Sequence, residues 1–270
     1  MSSRLSLNQK TVDSLDLPDA VDACVEAGLA LIGLWRESVA RHGVAESAEM
    51  VAKAGLRISS LCRGGFFPAA TEVRFEENVA DNLAAIDEAA ALGTDVLVLV
   101  CGGVANDDLE GSRRQVGEGI ARIVPHAADK GIKLAIEPLH PMFTADRSVV
   151  VTMDQALDMA ELHPPDRVGV VVDTYHIWWD PDIWAQIERA GERILAFQVC
   201  DWLDPLPDLL MGRGMMGDGV IEFRRFTEAV NEAGYEGPIE VEIFNQAIWE
   251  RDAGEVIAEM IERYEELVVA

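Results

Sequence analysis

In this sequence a segment of helical periodicity is closed by a glycine and followed at once by a short apolar run, and the pattern recurs five times. Gly28, Gly55, Gly93, Gly131 and Gly234 close segments 17–27, 45–54, 74–92, 113–130 and 223–233. Glycine takes the left-handed conformation of a helix C-cap without a Cβ clash, so each marks a helix giving way to a strand. The apolar runs predict strands at residues 4–8, 31–35, 57–62, 95–101, 133–138, 168–173, 194–200 and 239–244. Val96-Leu97-Val98-Leu99-Val100 and Val168-Gly169-Val170-Val171-Val172 show no polar alternation. Such strands need cover on both faces, as parallel strands flanked by helices have.

Eight strands at roughly the ~30-residue spacing of a βα unit predict an α/β chain closed into a (β/α)8 TIM barrel. No linker-like stretch divides the 270 residues, so one domain is expected over 1–270. An open doubly wound sheet would require a Gly-rich dinucleotide turn after the first strand, where the sequence has Asn8-Gln9-Lys10-Thr11.

Charge limits the partners. With 48 acidic against 22 basic side chains the formal net charge is −26, which repels phosphate backbones and anionic lipid as well as favouring solubility. Neither nucleic acid nor a membrane is an expected partner. The first ten residues hold no long apolar core, and no run of about 18 apolar residues occurs anywhere. Cys24, Cys62, Cys101 and Cys200 are far apart with no CxxC pair, the pattern of reduced thiols in a cytoplasmic protein. The last three read as small apolar fillers.

A parallel barrel builds its site at the C-terminal ends of its strands. Here the fifth strand runs into Glu137-Pro-Leu-His140, the sixth into Asp173-Thr-Tyr-His176, the seventh into Gln198-Val-Cys-Asp201-Trp202 and the eighth into Glu240-Val-Glu242-Ile-Phe-Asn245. A single carboxylate at a strand end is ordinarily a helix cap or a surface charge. Oxygen donors on four successive strands at the same end form a constellation. Like charges so gathered repel one another unless a cation sits among them, so one divalent metal is expected.

Glu137, Asp173 with His176 three residues on, Gln198-x-x-Asp201, and Glu242 within Gly234-Tyr-Glu-Gly-Pro-Ile-Glu-Val-Glu242 resemble the xylose isomerase-like TIM barrel superfamily. Its members include sugar phosphate isomerases and epimerases, ketose 3-epimerases, inosose-metabolising enzymes and endonuclease IV. The resemblance implies a metal on Glu137, Asp173 and Glu242, with Gln198 where the family usually has histidine. An all-oxygen shell favours Mn²⁺ or Mg²⁺, with Co²⁺ also admissible, over Zn²⁺. Gln198 could equally be a weak ligand or hold a bound water. The resemblance further implies abstraction of a proton α to the carbonyl of a ketose or 3-oxo-sugar through an enediolate, with Glu137 and Glu242 both ligating and transferring protons. His176 is implied to contact substrate, and Arg213, Trp35 and Asp201 are expected to join it.

The Glu137-to-His140 spacing, together with Gln198, is similar to the catalytic subunit of bacterial C-glycoside deglycosidases, which cleave 3-oxo-glucosides after deprotonation beside the ketone. That makes His140 a candidate general base, the alternative being a hydrogen bond to a loop carbonyl. Inosose isomerase or dehydratase chemistry, a non-catalytic sugar-binding subunit and endonuclease IV-like repair are the other readings. The last needs a histidine-fed zinc cluster, whereas the corresponding segments read Ser60-Leu-Cys62-Arg63-Gly64-Gly65, Cys101-Gly102-Gly103 and Gly212-Arg213-Gly214. Trp35, Phe66, Phe67, Trp178, Trp179 and Trp202 follow strand ends and are expected to stack on sugar faces or pack. Residues 211–219, rich in Gly and Met, are expected to form a lid or an interface. The expected substrate is an unphosphorylated sugar or glycoside, and the expected assembly a homo-oligomer or a hetero-oligomer with a small partner subunit.

Overall fold

The computed structural model describes residues 3–269. Eight parallel strands close into a barrel: β1 (Leu5–Asn8), β2 (Leu31–Trp35), β3 (Arg57–Gly65), β4 (Val96–Val100), β5 (Lys133–Glu137), β6 (Val168–Asp173), β7 (Ile194–Val199) and β8 (Ile239–Val241). Closure is made by β1, which pairs Leu5 with Ile239 on β8 and Ser6 with Leu31 on β2. Helices separate consecutive strands throughout, the longest being Glu72–Leu92 and Leu109–Lys130. The expected (β/α)8 architecture is the one found.

All five helix-closing glycines have positive φ, from 71° at Gly28 to 95° at Gly234. Two helices start earlier than periodicity indicated because polar caps recruit extra turns. Thr71 accepts from Arg74 N to open Glu72–Leu92, and Asp108 accepts from Gly111 N to open Leu109–Lys130.

Two strand ends differ from expectation, and both matter for the mouth. β8 stops at Val241, so Glu242, Phe244 and Asn245 lie on the loop beyond it. β3 runs on to Gly65, where a Cβ would lie 1.9 Å from Val100 O; only glycine lets β3 approach β4 so closely there. Asn82 pins that end. Its amide accepts from Gly65 N at 2.6 Å and donates to Gly65 O at 2.7 Å and Asn78 O at 2.9 Å.

The core has two compartments. A large one lies between sheet and helices. A small one fills the barrel with Cys62, Val96, Val98, Ala135, Val171 and Ala196. Phe67 belongs to the first and not to a sugar platform: it is fully buried, and its ring lies where a Cβ on Gly119 would sit, 2.2 Å from Cδ1. Residues 211–219 are packed in rather than free. Arg213–Gly214 pairs antiparallel with Asp201–Trp202, and Met215 and Met216 are buried. All four cysteines are free and buried. No helix among the described residues is long and apolar enough to cross a membrane.

Asn82→Ala strands a buried N–H and C=O on Gly65, so it should lower the unfolding free energy by about 2–4 kcal/mol. Urea unfolding reads this directly, and a loss below ~0.5 kcal/mol would show that the Asn82 clamp does not hold the end of β3.

Candidate metal and substrate site

Glu137 ends β5, Asp173 ends β6 and Glu242 follows β8, and all three are buried. Burial, reinforced by the Asp173 and Glu242 charges, pushes Glu137 well above the usual carboxylate range. Burial also raises Asp173, against the pull of Arg213, and raises Glu242 to about 7. One Asp173 oxygen is committed: Oδ1 accepts from Tyr175 N at 2.8 Å and opens the short helix Thr174–Ile177. That turn carries His176 back over the carboxylates.

Arg213 is the cation already present. Its Nη1 lies 2.8 Å from Glu242 Oε2 and 3.5 Å from Asp173 Oδ2. Its guanidinium is sandwiched between the Tyr175 and Phe244 rings, at 4.7 and 4.8 Å from their centroids. Three carboxylates against one guanidinium leave two formal negative charges uncompensated in a water-excluded site.

Both ring nitrogens of His176 face donors. The backbone N of His140 lies 3.2 Å from Nδ1 and Arg213 Nη2 lies 3.2 Å from Nε2, and burial pulls the ring's pKa well below its ordinary value. A neutral ring has one lone-pair nitrogen, so it accepts from one of the two at a time. Nε2 faces Asp173 Oδ2 at 3.7 Å and Glu137 Oε1 at 4.0 Å. Glu137, Asp173 and His176 lie close enough together to hold an ion. His176 Nε2 also meets Arg213 Nη2, which only donates, at 3.2 Å.

Gln198 offers a further oxygen. Gln198 on β7 is level with Asp173 on one side and Glu240 on the other, and is buried. Both of its amide atoms lack a hydrogen-bond partner among the described residues. A buried amide oxygen without a donor, beside three carboxylates with two charges to spare, fits a hard divalent cation. Glu137, Asp173, Glu242 and Gln198 would hold it.

Two expected site residues lie elsewhere. His140 is packed between Trp202 and Trp179, with ring centroids 4.8 and 5.6 Å away. Its Nδ1 accepts from Met142 N at 3.2 Å, because Pro138 and Leu139 carry the chain past the mouth before residue 140. The mouth cavity, of about 40 Å³, is lined by Glu137, His176, Arg213 and Glu242 with Trp35 and Leu139, but not by His140. Asp201 is not free for a substrate either. Oδ1 accepts from Trp202 N and Ile221 N at 2.9 and 3.0 Å, and Oδ2 from Gly217 N and Gly219 N, both at 2.8 Å. It ties down the loop that delivers Arg213.

Trp35 is at the cavity, with Nε1 donating to Asn8 Oδ1 at 3.0 Å. Trp178 and Trp202 stack on each other outside it, and Phe66 lies under Arg63. Sequence reasoning missed Tyr175 and Phe244 as the jaws around Arg213. It also gave no role to Glu240, whose carboxyl burial pushes up against the side chains of Ser60, Ser59, Gln198 and Asn8. The i, i+2 relation of Glu240 to Glu242 was the available signal, since both share a strand face.

Two expectations follow. Asp201→Asn replaces one acceptor oxygen by a donor facing backbone N–H groups, so it should cost about 2–4 kcal/mol of stability and loosen Arg213. Unchanged thermal unfolding would refute that. Glu242 is raised from its ordinary 4.5 to about 7, so the folded state binds the extra proton between those values. Stability of the metal-free protein from this group is full below pH ~4.5 and is lost as pH rises towards 7. Metal binding expels that proton, so the Tm gain on adding Mn²⁺ should be larger at pH 7 than at pH 5; an equal gain at both would contradict the assignment.

The sequence profile of the xylose isomerase-like TIM barrel family matches residues 21–267. The crystal structure of protein SMc04130 from Sinorhizobium meliloti 1021 is similar over 99% of both chains, with 47% identity and a TM-score of 0.96. Among curated proteins, the chain is 26% identical over 236 residues to a 3-dehydroshikimate dehydratase of Pseudomonas aeruginosa. That match covers 85% of this chain but only 36% of the dehydratase, so the chain spans about a third of that relative's length. An inosose isomerase of Bacillus velezensis is 23% identical, with 98% of this chain and 97% of the isomerase covered. The chain belongs to the xylose isomerase-like TIM barrel family.

Proposed function

We propose that this member of the xylose isomerase-like TIM barrel family is a divalent-metal-dependent enzyme that removes the proton α to the carbonyl of a polyhydroxylated ketone. The ketone is an unphosphorylated ketose, inosose or 3-oxo-sugar, and the reaction passes through an enediolate. The observation that carries the reading is the mouth itself, where three buried carboxylates face one guanidinium and an unpartnered amide. The names of the two curated relatives support the substrate class: each denotes work on a cyclic ketone with neighbouring hydroxyls.

The metal, when bound, supplies Lewis-acid polarisation of adjacent substrate oxygens. Every other part of the chemistry falls to side chains. Glu242, a buried carboxylate at the mouth, is the group that takes the proton. Glu137 is its counterpart on the other side of the mouth. His176 Nε2 faces the mouth beside Arg213, and Arg213, clamped between Tyr175 and Phe244, anchors a substrate oxygen. The 40 Å³ cavity, with Leu210 and Phe143 in its lining, is smaller than a sugar ring, so substrate access requires the lining to move apart.

A second reading shares the first step. Once the enediolate forms, a leaving group on the next carbon can be expelled, and similarity to a dehydratase supports such an elimination. Cleavage of a 3-oxo-C-glycoside is the same step with a carbon leaving group. Buried, unpaired thiols support a cytoplasmic setting.

Incubating the Mn²⁺-loaded enzyme in D₂O with ketoses, inososes and 3-oxo-glycosides should give deuterium at one carbon beside the ketone of its substrate class. Absence of exchange across the panel would defeat the enolisation reading. Glu242→Gln should lower turnover by about 10²–10⁴-fold. His140→Ala keeps the backbone N–H that orients His176, so it should lose less than about tenfold, and a loss as large as that of Glu242→Gln would return the base to His140.

A further inference from the structure

Two arginines at the mouth stand apart from the carboxylate cluster, and the proposed reaction leaves both without a role. Arg63 and Arg147 line the same 40 Å³ cavity as Glu137, Arg213 and Glu242. Arg63 is the extra residue where the register of β3 against β4 slips, between Cys62 opposite Val98 and Gly64 opposite Leu99. Such a slip re-aims a side chain: Cys62 stays inside the barrel while Arg63 joins the mouth. Its guanidinium lies 4.1 Å from the centroid of the Phe66 ring. Phe66 has a φ of 52°, uncommon outside glycine, and its N donates to Val100 O at 2.7 Å. Arg147 comes to the same side from the loop after β5. Its carbonyl accepts from Gly102 N at 2.8 Å, and a Cβ on Gly102 would fall 2.9 Å from Phe66 Cα. Elsewhere arginines close on carboxylates, as Arg36 does on Asp81 and Glu88, and Arg189 on Asp158 and Glu161. Among the described residues Arg63 closes on none, and Arg147 has only Asp146, at 3.8 Å.

We propose, resting on the metal-dependent ketone reading above, that Arg63 and Arg147 bind a carboxylate carried by the substrate. The substrate is then an acidic polyhydroxylated ketone and not a neutral sugar. Charge balance supports this. A divalent cation together with Arg213 offsets Glu137, Asp173 and Glu242, so Arg63 and Arg147 leave the loaded mouth positive towards whatever enters it. In a chain with 48 acidic side chains, a guanidinium at the mouth that meets none of them is available to an incoming anion. Its planar fork matches a carboxylate through two parallel N–H bonds, and the Phe66 ring holds that plane from one face. Phosphate fits less well. Barrels of this architecture take phosphate beside the loops after the seventh and eighth strands, whereas these arginines follow the third and fifth.

Isothermal titration of the Mn²⁺-loaded, full-length protein with matched ligands tests this. One set is D-fructuronate, D-fructose and D-fructose 6-phosphate, which differ in the group at carbon 6; the other is D-glucuronate and D-glucose. In at least one set the acid should bind about tenfold or more tightly than its neutral partner. Arg63→Met should weaken the acid by about 10- to 100-fold and the neutral sugar by less than about threefold. Arg63→Lys should keep part of the preference, since a point charge replaces the fork. Arg147→Met should act in the same direction by less, and serves if Arg63→Met does not fold. Mn²⁺ affinity and thermal unfolding of the metal-free protein should stay unchanged in these variants; a merely structural role would move unfolding and weaken both kinds of ligand alike. Arg57→Met, which removes an exposed arginine at the opposite end of β3, controls for the loss of one charge and should leave every Kd within about twofold. No preference for the acid in either set, or an equal loss on acid and neutral sugar in Arg63→Met, would overturn the carboxylate site alone. Tighter binding of D-fructose 6-phosphate than of D-fructuronate would do the same and give the arginines to phosphate. Wild-type protein that takes up no Mn²⁺ would overturn the metal reading and this site with it.

Discussion

Charge imbalance at the barrel mouth governs what this protein can do. Glu137, Asp173 and Glu242 are buried within reach of one another, and Arg213 is the one cation among the described residues that touches them. Moving a carboxylate out of water is expensive unless it is paired or protonated. Without further positive charge the site must take up protons, which is why burial raises all three acids. A divalent cation resolves the same conflict while leaving the carboxylates basic.

That arrangement extends well beyond the ligands. The short helix after Asp173 carries His176 over the carboxylates, where His140 N and Arg213 Nη2 meet its two ring nitrogens, each at 3.2 Å. Arg213 reaches the mouth because Asp201 collects four backbone N–H groups of its loop. Glu240 lies one layer lower, in a pocket left by Gly33.

The sequence made some of this legible and hid the rest for physical reasons. Strands β1 to β8 could be read because parallel strands are apolar on both faces and glycine closes the helices before them. Glu137, Asp173, Gln198 and Glu242 could be read because strand ends in a closed barrel converge whatever path the loops take. His140 and Asp201 do not line the mouth cavity because both follow a strand end by two or three residues, where the chain has already turned away. Phe67 had the right position in sequence but faces Gly119 on the neighbouring helix. Tyr175 and Phe244, on different loops, become jaws only once Arg213 arrives from a third. Such convergence is a tertiary fact with no periodicity to betray it.

The central proposal is that the mouth binds one divalent cation through the oxygens of Glu137, Asp173, Glu242 and Gln198. Pulsed EPR on the protein loaded with one equivalent of Mn²⁺ tests it most directly, because a coordinated imidazole nitrogen imprints a strong ¹⁴N modulation on the electron spin echo. The account predicts stoichiometric binding with no such modulation from a directly bound histidine. Strong ¹⁴N coupling that disappears in His176→Ala, or failure to bind Mn²⁺ at all, would contradict it.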